Sequence, residues 1–196
     1  MVGPNKQFNK DEALNKALEV FWAKGFEATS MQDLVLNMGV NRASMYHTYG
    51  NKHALFIAAL ECYIESNLEH FKQALNAPGS PLENLNNIFQ FFIGTGQQEK
   101  SYGCFINNTA VEMGPHDPQV AAIIRQFWLR FESLLTDLLN RAIQQGELAQ
   151  HTNTKDLAVL INIALQGLAV KIKTNAPTDD LRNSTEFLFK LIKQYQ

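Results

Sequence analysis

The sequence predicts an all-α protein, and three observations lead there. Apolar residues recur at i, i+3, i+4 and i+7 through almost the whole chain, and no run alternates with the two-residue period of a strand. Ser, Asn or Asp stands at the head of one periodic segment after another, and a glycine closes several of them. The chain of 196 residues is 45% hydrophobic with 11 Gly and 6 Pro, which suits one compact unit, or one core with a small module appended.

The elements follow in order. Asn9 caps a first helix, with Glu12 as the expected capping-box partner, Leu14, Ala17, Leu18 and Phe21 as its stripe, and Gly25 past its end. Ser30 caps a short second helix whose Met31, Leu34, Val35 and Met38 share one face, and Gly39 stops it. Asn41 caps an equally short third helix reaching about Thr48. After Gly50–Asn51, a long helix runs from Lys52 to about Leu75. In "NAPGSPLEN", Ser80 caps, Pro81 takes the first helical position and Glu83 is placed for a capping box. Leu85, Ile88, Phe89 and Phe92 continue that helix, and a short segment near Cys104–Met113 precedes "GPHDP". There Asp117 and Pro118 start the clearest helix, whose wide stripe runs from Val120 to Ala142 and which Gly146 ends. Two last helices cover roughly Thr154–Thr174 and Thr178–Tyr195.

Several functions are excluded early. The start "MVGPNKQFNKDEA" has no apolar run of a signal peptide, and no window approaches the ~18 apolar residues of a membrane span. The two cysteines, Cys62 and Cys104, have neither a metal-ligand spacing nor a disulfide framework, so a reducing, cytoplasmic setting is expected. "EMGPHDP" offers Glu112, His116 and Asp117, but Asp117 is better used as a cap, and no metal or cofactor is expected. There is no nucleophile motif, phosphate-cradling glycine loop or HExxH, so no catalytic residue is assigned and no enzyme is expected. The net charge of −2 does not advertise a nucleic acid partner. Up to His53 there are six Lys/Arg against five Asp/Glu, and beyond it eleven against fourteen, an asymmetry with the sign of a basic head on an acidic body.

The stretch "MGVNRASMYHTYGNK" is the most informative. Two short helices joined by a tight glycine turn make a helix-turn-helix. Val40, Met45 and Tyr49 can share the inward side of the second helix, leaving Arg42, Ser44, Tyr46 and His47 outward. Those donors and acceptors suit a major groove, where Arg forks onto guanine and hydroxyls or imidazole bond phosphates and bases. Lys52, at the next helix start, can hold a phosphate together with the helix amides. On pattern alone, two ordinary capped helices with a solvated face fit equally well.

From Phe21 the chain reads "FWAKGFEATSMQDLVLNMGVNRASMYHTYGNKHALF". This resembles the N-terminal DNA-binding region of the TetR family of bacterial transcriptional regulators. The likeness rests on the apolar-x-x-x-Gly-aromatic end of the first helix, Thr29–Ser30, Gly39–Val40, Met45–Tyr46, Tyr49 and the Gly50-x-Lys52-x-x-Leu55-Phe56 run. It covers about the first quarter of the chain. The resemblance implies DNA contacts from Gln32, Arg42, Ala43, Ser44, Tyr46, His47 and Thr48, with Ser30 and Lys52 at phosphate positions. Thr48 stands where His or an aromatic is frequent, Tyr49 replaces the usual Phe, and Val35 fills a position often small. The implied division is a three-helix head over residues 1–53 and a ligand-binding, dimer-forming body over residues 54–196.

For the body, the residues themselves say more. In the helix over Lys155–Lys173, Leu157, Leu160, Ile161, Ala164, Leu165, Leu168 and Ile172 make one stripe, and Val159, Ile163, Gly167 and Val170 make a second beside it. A helix apolar over more than half its circumference needs a second partner. The last helix has a similar seam in Leu181, Leu188, Leu191, Ile192 and Tyr195, so a two-fold four-helix interface is expected. The named interface residues are Leu157, Val159, Ile163, Gly167, Val170, Leu188, Leu191 and Tyr195. A pocket for a small effector is expected among the helices between Leu55 and Ala142. Its expected lining is Tyr63, Phe89, Phe92, Phe105, Asn108, Glu112, Phe127 and Trp128, with Gln166 from the later helix.

Cys104 opens a short helix, where the amides can lower a thiol pKa and make it reactive, and "GCFINNTAVE" is similar to a segment common in one branch of TetR-like regulators. The expected function is therefore a ligand-responsive repressor acting as a homodimer on a palindromic, double-stranded operator. The alternatives are a cysteine-based electrophile or redox sensor, and an all-α small-molecule-binding protein that does not act on DNA.

Overall fold

A computed structural model of the chain describes residues 9–95 and 102–194. These residues form nine α-helices and no strand: α1 (Lys10–Lys24), α2 (Met31–Met38), α3 (Arg42–Tyr49), α4 (Lys52–Leu75), α5 (Pro81–Thr95), α6 (Phe105–Glu112), α7 (Pro118–Gln144), α8 (Thr154–Lys173) and α9 (Thr178–Gln194).

Local chemistry explains most helix ends. The Asn9 side chain accepts from the amides of Asp11 and Glu12 at 3.0 and 3.2 Å. Glu12, expected to complete a capping box there, instead pairs with Lys16 at 2.6 Å. The box forms one helix later: Ser30 Oγ accepts from Asp33 N at 3.1 Å, and Asp33 accepts from Ser30 N at 3.0 Å. Asp33 also takes the Lys24 ammonium at 2.6 Å, and Lys24 first, then Ser30, hold its carboxyl well below the usual range. Gly39 leaves α2 in the left-handed region at φ 68°, which turns the chain directly into the Asn41 cap of α3. At the start of α5, Ser80 Oγ accepts from Glu83 N at 3.1 Å. The carboxylate gripping that start is Glu147, which accepts from Ser80 Oγ and Leu82 N, each at 2.9 Å, rather than the expected Glu83.

The head is built around α1, which packs on α2 and α4. Ala17, Phe21, Leu34, Met45 and Leu55 are its sealed centre. Phe21 meets Phe56 edge-on at 5.0 Å, and Phe26 meets Phe56 at 5.1 Å. In the body, α7 runs through the middle and packs against α8, α4 and α5. Its stripe is buried from Val120 through Phe131 and Leu138 to Ala142. Arg141 Nη2 donates to the Leu75 carbonyl at 2.6 Å, satisfying an end of α4 that has no partner within its own helix.

α4 crosses the boundary drawn after residue 53 without a break. It carries Leu55 and Phe56 into the head core and Leu68 and Leu75 into the body. A single rigid helix thus joins the two.

α8 differs from expectation at one residue. Ile161, Leu165, Leu168 and Ile172 are buried, but Leu160, placed with them by period, is 52% exposed. The core-facing arc is narrower and is completed by Ala158, Asn162 and Ala169. Val159, Ile163 and Val170 are exposed, as is Gly167. On α9, Leu181 and Ile192 turn inward, Leu188 is half-buried, and Leu191 and Phe187 are exposed. Tyr195 lies outside the described residues.

Candidate nucleic-acid interface and interior cavity

The polar residues of α3 project as their spacing requires. Val40 and Met45 are buried, and the Tyr49 hydroxyl donates to the Lys10 carbonyl at 3.1 Å, pinning α3 to α1. Arg42, Ala43, Tyr46 and His47 are exposed, while Ser44 and Thr48 are half-buried. Arg42 Nη2 lies 3.4 Å from the Tyr46 hydroxyl, with the guanidinium 5.7 Å from the ring centroid. Being one turn apart, the two side chains act as a unit and hold the guanidinium at a fixed place on the surface.

The flanking positions are less free. Gln32 is exposed on α2. Ser30 donates its hydroxyl to Asp33 at 2.7 Å. The Lys52 ammonium sits 4.3 Å from the Phe26 ring centroid and 3.5 Å from the Glu27 carbonyl. Lys52 therefore braces the α1–α2 turn while its charge stays beside α3.

Between head and body lies a cavity of about 870 Å³. Tyr63, Phe92, Phe127, Trp128 and Gln166 line it, as expected. Four expected residues do not. Phe89 is sealed in the core and meets Phe189 edge-on at 5.6 Å; its neighbour Phe91, 68% exposed, reaches the cavity instead. Phe105 is 1% exposed behind the wall, against Tyr63 at 5.5 Å. Asn108 donates to the Tyr102 carbonyl at 2.8 Å and accepts from Lys173 at 2.8 Å. Glu112 points into the head: its carboxylate accepts from Phe26 N at 3.1 Å and Glu27 N at 2.9 Å.

Gly25 makes that last contact possible. Its φ of 81° suits glycine, and an added Cβ would stand 2.7 Å from the Glu112 carboxylate. The residues missed by sequence reasoning are the most telling. Asn15, Leu18 and Trp22 of α1 form part of the cavity wall, so the head itself bounds the space. Trp22 Nε1 donates to the Gly103 carbonyl at 3.0 Å, and its ring meets Tyr63 at 5.1 Å. The available signal was a second large aromatic, the Trp22 indole, directly after the Phe21 that completes the stripe.

Cys104 lies at the N-cap of α6 and on the cavity wall. The amides of Asn107 and Ile106 pull its thiol pKa down, as its place at a helix start predicts, but burial outweighs them and pushes the thiol up. Burial likewise raises the Tyr63 phenol. Among the described residues, no three His, Cys, Asp or Glu gather in a geometry that could hold a metal, and no helix is long and apolar enough to cross a membrane.

A helix-turn-helix head with an exposed Arg–Tyr–His face, sharing one helix with a hollow helical body, is the architecture of a DNA-binding transcriptional regulator. Comparison with known proteins narrows the class. The family model described as "Bacterial regulatory proteins, tetR family" matches residues 13–59, and "Tetracyclin repressor-like, C-terminal domain" matches residues 81–187. The chain belongs to the TetR family. It is 35% identical over 187 residues to the uncharacterised HTH-type transcriptional regulator YezE of Bacillus subtilis (strain 168), covering 94% of this chain and 96% of that one. It is 27% identical over 183 residues to the HTH-type transcriptional repressor ComR of Escherichia coli (strain K12), covering 91% and 86%. Among solved structures, a cysteine-substituted form of the TetR family regulator CifR, complexed with 26-base-pair operator DNA, superposes with a TM-score of 0.84. That chain is 26% identical, with 96% of this chain and 98% of that one covered. Reduced E. coli NemR, 16% identical over 91% of this chain and 93% of that one, shares the fold at a TM-score of 0.83.

Proposed function

We infer that the protein is a ligand-responsive repressor that binds a palindromic operator as a homodimer and acts in the cytoplasm. Each protomer sets α3 into a major groove, with Arg42, Ala43, Ser44, Tyr46, His47 and Thr48 toward the DNA. Gln32 of α2 and the Ser30 and Lys52 positions flank it. The second protomer docks on the apolar strip of α8 and α9, around Val159, Ile163, Gly167, Val170, Leu188 and Leu191, with Leu157 at its margin. The division of labour follows residues 1–53 and 54–196, with α4 spanning both.

One observation carries the ligand-responsive part: α1 is at once the spine of the head and a wall of the cavity. A molecule that fills the cavity must touch α1 at Trp22 or Leu18, or else displace it. α6 offers a second route, since it borders the cavity at Ile106 and Asn107 and grips the α1–α2 turn through Glu112. An effector shifts the heads only if it binds their two arrangements with different affinity, typically by ~1–3 kcal/mol. The repressor sign is supported by the likeness to the repressor ComR, and the operator by the likeness to operator-bound CifR. The half-buried Cys104, its thiol pushed up, favours a wall residue over a redox trigger.

The test is operator selection from genomic fragments, followed by footprinting and light scattering on wild type. The expected result is a two-half-site palindrome protected by a dimer, with retention that weakens steeply as salt rises. Enrichment of no sequence above nonspecific DNA would overturn the reading.

A further inference from the structure

Head and body meet at the corner between α6 and α7, and two carboxylates of that corner reach into the head. Asp117 caps α7 with Oδ1, which accepts from Gln119 N and Val120 N, while its Oδ2 lies 2.6 Å from His53 Nε2 at the start of α4. Glu112 takes Phe26 N on Oε2 and Glu27 N on Oε1.

Glu112 has no local reason to stand where it does. As the last residue of α6 it sits at the negative end of the helix dipole, where a carboxylate is disfavoured. Among the described residues no Lys, Arg or His pairs with it. Its oxygens are matched instead to two consecutive amides past the end of α1, which have no backbone acceptor among the described residues. Successive amides of this kind make a small hollow for an anion. Gly25 keeps the hollow open, since a Cβ there would stand 2.7 and 2.9 Å from the two carboxylate oxygens. The end of α6 is fixed too, because a Cβ at Gly114 would stand 2.4 Å from the Ala110 carbonyl oxygen.

The turn held in this way leads directly into the reading helices. The Phe26 ring carries the Lys52 ammonium at 4.3 Å and meets the His53 ring edge-on at 6.1 Å. Lys24, at the end of α1, reaches Asp33 of α2 at 2.6 Å. A shift of the turn is therefore passed to α2 and to α3 behind it.

We propose that Glu112 is a positioning residue for DNA binding. Its carboxylate, seated on the Phe26 and Glu27 amides, sets the angle of the head on the body and so the distance between the two α3 helices of a dimer. This role rests on the homodimeric, two-half-site reading given above. One head still reads one half-site without the contact; what is lost is the fixed span across two.

The test uses the full-length protein and three duplexes built from the selected operator. The first keeps both half-sites at their natural spacing, the second adds one base pair between them, and the third scrambles one half-site. Two variants attack the contact from opposite sides. Glu112→Gln keeps the shape but sets an NH2 donor against one of the two amide donors, and Gly25→Ala pushes the carboxylate out. The added base pair moves one half-site by about 3.4 Å and turns it by about 35°. In wild type it is expected to weaken binding at least about ten-fold, because a rigid pair of heads no longer fits both sites. In both variants that penalty is expected to shrink to about three-fold or less. Affinity for the natural spacing should fall about ten-fold, with single-half-site affinity within about two-fold of wild type. A single-half-site affinity that falls as far as the natural-spacing one overturns the proposal, because Glu112 then serves only the fold of the head. A wild type that prefers two half-sites, with variants as sensitive to the added base pair as wild type, overturns the positioning role alone. A wild type that binds one half-site as tightly as two overturns the homodimeric reading and the positioning role with it.

Discussion

Two faces of this molecule stand in water, and they are opposites. On α3 the outward residues are Arg42, Tyr46 and His47, and the inward ones are Val40 and Met45. On α8 both sides are apolar: Ile161 and Leu165 are buried, and Ile163 and Val170 are 59% and 53% exposed. The first face is comfortable in solvent and gains by exchanging water for a polar, charged surface. The second is not, and its gain comes from removing apolar area from water, about 25 cal/mol per Å². Partner chemistry is thus written in which residues are left outside, and substitutions can separate the two contributions.

The largest effect is expected at the apolar face. Ile163→Glu puts a charge where the second copy would bury it, an unpaired burial that costs several kcal/mol. Light scattering should show a shift from dimer to monomer with helical circular dichroism retained. Operator affinity should drop by roughly a hundred-fold or more, because a lone head loses the effective concentration supplied by its twin. A variant that stays dimeric would move the interface elsewhere.

At the polar face the loss should be smaller and sequence-dependent. Arg42→Ala removes a guanidinium held against Tyr46. It should cost ~1–3 kcal/mol on the selected operator, with relaxed preference at one base position and an unchanged melting curve. Equal losses on operator and random DNA would reduce Arg42 to a phosphate contact.

Glu112→Ala tests the joint between the faces. Two amides, Phe26 N and Glu27 N, lose their acceptor. Stability should fall by ~1–2 kcal/mol, and amide exchange should rise first in the α1–α2 turn. A turn as protected as in wild type would show that the carboxylate is dispensable there.

The smallest effects concern single charges. Lys52→Ala should weaken all DNA sequences about equally and reduce the salt slope by about 1. Asp33, with its pKa depressed chiefly by Lys24, contributes stability that is present above the ordinary carboxylate range and lost as pH falls through its lowered value. In Asp33→Asn, thermal stability should therefore fall less steeply on acidification than in wild type. Identical acid profiles would remove Asp33 from the account.

These cases also show what can be read from a sequence. Caps are local, so Asn9, Ser30, Asn41 and Asp117 announce their helices within three or four residues. The start of α7 followed from Asp117, and that of α4 from the Gly50–Asn51 break. The apolar surplus on α8 was legible because one helix cannot hide two stripes in one core. Cavity walls are different. Phe89 and Phe91 are two residues apart on one helix, both aromatic, and only the placement of α9 makes the first core and the second wall. Leu18 reads with Ala17 and Phe21 as one α1 stripe, Trp22 follows one turn later, and nothing in their spacing says the body reaches them. Glu112 binds amides more than 80 residues away, a contact no local pattern contains.

The mixed ownership of the cavity has a practical side for anyone building hybrid sensors. Cutting such a regulator after residue 53 and attaching a foreign reading module would exchange Asn15, Leu18 and Trp22 along with the operator preference. A module without glycine at the Gly25 position would also set a side chain against the Glu112 carboxylate. On the ligand-responsive reading, the hybrid would answer to altered chemicals as well as altered promoters. A graft that keeps α1 of this chain and imports only α2 and α3 would leave the cavity wall in place while exchanging the reading helices.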